Sequence, residues 1–134
     1  MRRGVLAAAL IGPSVTAQTY PVKPIRVIVP AVPGSAVDVG MRRVAPKLTE
    51  ALGQPVIIEN RPGANSAIGA REVARAAPDG YTLLHANINN AFNDLLSSDP
   101  CCRLNRELIA VTRLFSSPMV MVINPAVPAN TLKE

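Results

Sequence analysis

The 134-residue chain has no tryptophan, two tyrosines, two phenylalanines, one histidine and two cysteines. Each scarcity excludes a class of function. With His85 as the only histidine, and no Ser-His or Cys-His pairing, there is no nucleophile with a base to activate it, so an enzyme is not expected. Metal sites space their ligands by about two to four residues and recruit histidine as well. Here Cys101 and Cys102 are adjacent, and His85 sits in a strand-like run. No metal and no cofactor is expected. A bond between the two neighbouring cysteines would close a strained ring, which leaves exposed thiols or a disulfide between chains as the open alternatives.

Nucleic-acid binders interleave aromatic rings with clustered Lys and Arg. The basic residues here are dispersed, and the closest pair, Arg42-Arg43, falls in a helical pattern that reads as a solvated face. No nucleic-acid partner is expected. No apolar run approaches the roughly 18 residues of a membrane span. With 17% charged residues and a mean hydropathy of +0.23, the composition is not that of a disordered tail. The 8 glycines and 13 prolines follow no period, which excludes a collagen or solenoid repeat. The length allows one small domain.

What is present begins with an address. Arg2-Arg3 precede the uncharged apolar stretch Gly4-Val5-Leu6-Ala7-Ala8-Ala9-Leu10-Ile11-Gly12, then Pro13, Ser14 and the small-x-small triplet Val15-Thr16-Ala17. This is the pattern of a secretory signal peptide, with cleavage expected after Ala17. The alternative, a buried N-terminal helix or strand, is disfavoured by Pro13 and by the lack of amphipathic period. Loss of Arg2 and Arg3 leaves 12 basic against 9 acidic residues, a charge of +3 instead of +5.

The middle of the chain alternates two periods. Ile25-Arg26-Val27-Ile28-Val29 is β-branched and nearly continuous, as in a strand buried on both faces. From Val37 the apolar residues Val37, Met41, Val44, Ala45, Leu48 and Leu52 follow helical spacing, with a kink expected at Pro46 and a stop at Gly53. Val56-Ile57-Ile58-Glu59 is a second strand, residues 67–76 a second helix, Pro78-Asp79-Gly80 a turn, and Tyr81-Thr82-Leu83-Leu84 the start of a third strand. Strands alternating with helices of about ten residues imply parallel pairing in an α/β fold. Beyond Asn87 the pattern predicts a loop with at most one helical turn, then strands over 110–115 and 119–123. A helix start is expected at Thr131.

Open parallel sheets bind ligands beyond the carboxyl ends of their strands. That edge carries Pro33-Gly34-Ser35-Ala36, Gly63-Ala64-Asn65-Ser66-Ala67 and Ala86-Asn87-Ile88-Asn89. Small residues let a ligand approach the backbone, and helix starts offer unpaired N–H groups to an anion. Ser35, Asn65, Ser66 and Asn87 can add uncharged hydrogen bonds. From spacing alone the plainer alternative is stronger: Gly34 and Gly63 as turn residues, and Asn65 or Asp38 as helix caps. No P-loop lysine and no G-x-G-x-x-G is present, so a nucleotide is not supported.

The strings Tyr20-Pro21-Val22-Lys23-Pro24-Ile25-Arg26-Val27-Ile28-Val29-Pro30 with Pro33-Gly34 and Asp38, Leu52-Gly53-Gln54-Pro55-Val56-Ile57-Ile58-Glu59-Asn60-Arg61-Pro62-Gly63-Ala64, Ile68-Gly69-Ala70, and Val73-Ala74-Arg75-Ala76-Ala77-Pro78-Asp79-Gly80-Tyr81-Thr82-Leu83-Leu84 closely resemble the Bug receptors. These are the periplasmic solute-binding proteins of tripartite tricarboxylate transporters. Val122-Ile123-Asn124-Pro125 with Pro128-Ala129 resembles the family's pattern near its domain crossover. The resemblance covers nearly all of the chain after the address.

The resemblance implies one parallel-sheet lobe of a type II periplasmic-binding-protein-like fold. It further implies a periplasmic receptor that captures a small carboxylate, such as a di- or tricarboxylate or an acidic amino acid, and delivers it to membrane permease subunits. The ligand-binding residues it implies are Pro33, Gly34, Ser35, Asp38, Asn65, Ser66, Asn87 and Asn89, with Asp38 at the position of an acidic residue that can face an amine. The organisation expected is a signal peptide over 1–17, a first lobe over 18–123, and the start of a crossover over 124–134 to a second lobe missing from the chain. Departures are Ala31 where the family has an aromatic, Ser35 at a second glycine, Asn65-Ser66 near a glycine pair, and Cys101-Cys102-Arg103-Leu104 at a Pro-Tyr-Asp-Pro turn. A Cβ at Ser35 is expected to limit how closely a carboxylate approaches. The alternative function is a non-binding remnant or interaction module that retains half of the receptor fold.

Overall fold

The computed structural model describes residues 20–96, 104–118, 120 and 122–128. The address over 1–17, Cys101, Cys102 and the helix start at Thr131 lie outside the described residues.

Three parallel strands form the sheet: β1 (Ile25–Val29), β2 (Val56–Asn60) and β3 (Thr82–Leu84), in the order β2-β1-β3. The most continuously β-branched segment takes the centre, since only the central strand is buried on both faces and along both edges. Ile28 and Val29 have no exposed surface, and Ile25 and Val27 are buried as well. Parallel neighbours need crossovers, which α1 (Ala36–Leu52) and α2 (Ala67–Ala74) supply. Side-chain alternation along β1 then assigns the faces. Val27 and Val29 pack with Met41 and Ala45 of α1, while Ile28 on the other face meets α2 where Gly69 approaches. Burying a side chain of this size contributes roughly 1.5–3 kcal/mol, so β1 and Met41 are the centre of stability.

The helix ends follow local chemistry. Ser35 caps α1, its Oγ accepting from Asp38 N at 3.4 Å. Gly53 ends the helix at φ 66°, its N–H donating to Thr49 O at 3.0 Å, as the sequence predicts. The helix runs through Pro46 as one 17-residue element, with that ring on the exposed side. Gly69 has a packing reason: a Cβ there would lie 2.9 Å from Pro30 Cβ and 3.1 Å from Arg61 O.

The amino edge of the sheet is stitched shut. Tyr20 donates to Gly80 O at 2.8 Å and its ring lies 5.1 Å from that of Tyr81. Lys23 pairs with Asp79 at 3.1 Å and sits 4.2 Å above the Tyr81 ring. On the α2 face, Arg26, Glu59, Arg61 and Glu72 close a ring of four ion pairs between 2.6 and 3.0 Å.

Two expectations fail. Instead of a loop with at most one turn after Asn87, α3 runs Ile88–Leu96, and α4 (Leu104–Glu107) follows. Asparagine is a poor helix former, which hides α3, but Asn87 and Asn90 cap it reciprocally: Asn87 Oδ1 accepts from Asn90 N and Asn90 Oδ1 from Asn87 N. The expected strands over 110–115 and 119–123 are not strands among the described residues. Alternating apolar residues make a strand only where a neighbour completes the ladder, and none does so among the described residues.

Candidate ligand-binding site

In an open sheet of order 2-1-3, the connections from β1 and from its neighbour β3 leave toward opposite faces, which opens a crevice at their carboxyl ends. Two clusters of the expected residues gather at that edge.

The first surrounds the start of α1. Gly34 adopts φ 80° with open space where a Cβ would be, so glycine serves the turn and not a tight contact. Ser35 sits at φ −66°, ψ 161°, extended backbone in which its Cβ causes no strain. Asp38 points inward at 2% exposure. Its Oδ2 accepts from Gly34 N and Arg42 Nε, both at 2.9 Å, and its Oδ1 from Asn60 Nδ2 at 2.9 Å. The Arg42 guanidinium first, then the Gly34 amide and the Asn60 side chain, hold its carboxyl far below the usual carboxylate range. Both oxygens are thus engaged inside the protein. Ser35 takes the amide of Asp38 through Oγ and that of Val39 through its carbonyl. Among the described residues this leaves the amides of Ala36 and Val37 as the open donors of the helix start. Pro33 and Gly34 are exposed above them.

The second cluster joins the other two loops. Ala64, Asn65 and Ser66 form a short 3-10 turn with φ of 45°, 51° and 74°. Three consecutive left-handed residues are costly, about 1–2 kcal/mol each without glycine. The glycine pair that the resemblance places here would adopt these angles freely. In this chain hydrogen bonds offset the strain. Buried Ser66 donates to Pro30 O at 3.0 Å and accepts from Asn87 Nδ2 at 3.2 Å, while Asn90 Nδ2 reaches Ser66 O at 3.0 Å. Asn65 and Asn93 pair reciprocally, the latter donating to Asn65 O at 2.6 Å. Asn89 contributes its N–H to Asn87 Oδ1 at 2.9 Å.

The structure therefore brings Asn65, Ser66, Asn87 and Asn89 together. Gly34, Ser35 and Asp38 form a separate group, connected to the first through Pro30. Sequence reasoning missed Asn60, Asn90 and Asn93. The three-residue spacing Asn87-x-x-Asn90-x-x-Asn93 was the available signal, since such residues share a helix face. Just past β3, His85 continues the ladder, donating its N–H to Ile28 O at 2.9 Å. Its ring lies 5.7 Å from Phe115, burial pushes its pKa down, and its buried Nδ1 has no partner among the described residues. Uncharged amides and hydroxyls line this edge, together with helix-start donors. Groups of this kind can hydrogen-bond an anion but carry no full charge to neutralise it.

The fold is a parallel α/β lobe with its polar loops gathered at the carboxyl edge of the sheet. Residues 40–134 match the family described as the tripartite tricarboxylate transporter family receptor, TctC, and the chain belongs to that family. It is 39% identical over 129 residues to protein BugT of Bordetella pertussis, covering 95% of this chain and 40% of BugT. Among solved structures, a periplasmic transporter is similar at 47% identity and a TM-score of 0.58, covering 62% of this chain and 28% of that one. MatC from Rhodopseudomonas palustris, solved with bound malate, is similar at 36% identity and a TM-score of 0.55, covering 59% of this chain and 28% of MatC. The chain spans about two fifths of the length of the curated relatives it matches.

Proposed function

We propose that this chain supplies the first lobe of a periplasmic solute-binding receptor. The receptor captures a small carboxylate, a di- or tricarboxylate or an acidic amino acid, for the permease subunits of a tripartite tricarboxylate transporter. The observation that carries the reading is the carboxyl edge, with open amides at Ala36 and Val37 and the Ser66–Asn87 cluster tied to Pro30, in a chain similar to MatC, which was solved with malate bound. Residues 1–17 act as the export signal, and Pro33, Gly34, Ser35, Asn65, Ser66, Asn87 and Asn89 line the ligand side. Asp38 shapes that side from within, because its oxygens are already taken, and an amine on the ligand is met by other groups. One lobe desolvates a ligand on one side only, so its affinity is low.

Thermal unfolding of the chain with malate, citrate, glutamate or aspartate tests this reading. A ligand at 100 times its dissociation constant stabilises by about 2.7 kcal/mol, which is several degrees at this size. A cooperative melt that none of the acids moves overturns it. A second reading, an interaction module without a ligand, draws on the apolar surface of Ile109, Val111, Val120 and Val122, each at least 80% exposed. Concentration-dependent self-association together with an unmoved melt selects that reading.

A further inference from the structure

The loop between β1 and α1 is held from a third element. Asn60, the last residue of β2, donates through Nδ2 to Ala31 O at 3.1 Å and to Asp38 Oδ1 at 2.9 Å, while its Oδ1 accepts from Arg42 Nη2 at 3.0 Å. Asp38 passes the constraint on to the tip of the loop, where its Oδ2 accepts from Gly34 N at 2.9 Å. The loop has little else. Val32, Pro33 and Gly34 are exposed, and the backbone bond within the loop, from Ser35 N to Val32 O, is long at 3.3 Å. A segment with few apolar contacts and exposed hydrogen bonds opens at low free energy unless side chains tie it down.

The chemistry at position 60 is specific. Ala31 O and the Asp38 carboxylate only accept, and the Arg42 guanidinium only donates. The central group must offer two N–H donors and one acceptor, which a primary amide does. A carboxylate would set its oxygens against Asp38 and Ala31 O. An apolar residue would leave a buried carboxylate oxygen short of a donor, and that is costly.

We propose that Asn60 is a positioning residue. By clamping Ala31 and Asp38 it fixes the 31–35 loop, and with it the direction in which the first amides of α1 face the carboxyl edge. The loop is thereby set before any ligand arrives, which limits the ordering cost of binding. The ligand consequence rests on the receptor reading above, whereas the clamp itself does not.

Amide hydrogen exchange of the full chain without ligand tests the clamp. A hydrogen bond to a charged group is strong enough that its loss speeds exchange about tenfold or more. In Asn60→Ala, Gly34 is expected to exchange faster by that factor while Val29 and Val73 keep their rates. Where the alanine variant does not fold, Asn60→Ser is read in the same way. Asn60→Asp is expected to loosen Gly34 as well, and the exchanged pair Asn60→Asp with Asp38→Asn to recover part of the protection, because it restores one donor and one acceptor at net-zero change. An unchanged Gly34, or acceleration shared equally by Val29 and Val73, overturns the proposal, since a general structural role produces the shared pattern. Malate titration of the same variants adds the functional arm, with about tenfold weaker binding expected in Asn60→Ala. If the parent chain binds none of malate, citrate, glutamate and aspartate, the receptor reading fails while the exchange result still decides the clamp.

Discussion

Two stretches of this chain share a composition and reach opposite ends. Ile25–Val29 and the apolar residues of 109–123 are both rich in β-branched side chains. In the first, Ile28 and Val29 are fully buried and both neighbours are hydrogen-bonded. In the second, Val120 and Val122 are 80% and 82% exposed, and the described residues form no ladder. The intrinsic preference for extended backbone is therefore worth little by itself. What makes β1 a strand is a partner on each edge and a helix on each face. In the later stretch the Phe115 ring lies 3.3 Å from the position of a Cβ on Gly40 and 5.7 Å from the His85 ring.

The largest test of this contrast compares truncations. Ile28→Ala should destabilise by roughly 2–5 kcal/mol in denaturant unfolding, against within about 0.5 kcal/mol for Val122→Ala. Comparable losses would mean the later stretch is packed in solution. Limited trypsinolysis comes next. Cleavage after Arg113 should outrun cleavage after Arg26 or Arg42 on the order of 100-fold, since sites in β1 and α1 open only with the core. Equal rates would erase the distinction.

Gly69→Ala probes the tight side of the comparison. Its Cβ would meet Pro30, Arg61 O and Ile28, so overpacking should cost about 1–3 kcal/mol. A neutral result would show that α2 can shift away from β1.

The smallest effect concerns pH. Burial lowers the His85 pKa below its ordinary 6.5, so the unfolded chain takes up that proton first. The contribution is complete above 6.5 and declines as pH falls through the folded value. Asp38 and Asp79, ordinarily 3.8, and Glu59, ordinarily 4.5, are also held low by their hydrogen bonds. Their contribution persists above those values and is lost further into acid. Melting temperature against pH should thus fall in two stages, and His85→Phe should remove the first. Phe115→Ala, which lets water reach the imidazole, should shrink that stage. An unaltered profile in both variants would mean the ring is solvated.

Much of the fold was legible. The change from a continuous β-branched run over Ile25–Val29 to helical spacing from Val37, the stop at Gly53 and the turn at Pro78-Asp79-Gly80 are local signals, and they predict β1, α1, β2, α2 and β3 nearly to the residue. α3 was not legible, because Asn89, Asn90 and Asn93 lower its propensity and its stability comes from the Asn87–Asn90 cap and from Ser66, 24 residues away from Asn90. The candidate site was half legible. Small residues and helix starts indicated the loops, but nothing local distinguishes an asparagine that faces solvent from one that holds another loop.

The sequence by itself determined the alternation of strands and helices, hence a parallel sheet with its loops at the carboxyl edge, and the motif strings that assign the family. Those are properties of period and of contiguous residues. Only the tertiary structure decided that Asp38 turns inward, that Asn60 reaches the loop after β1, and that the apolar residues near 111 and 122 go unpaired. Each depends on whether a donor, an acceptor or a strand edge far away in the chain arrives within hydrogen-bond range. A side chain carries its chemistry in the sequence, but its partner is supplied by the fold.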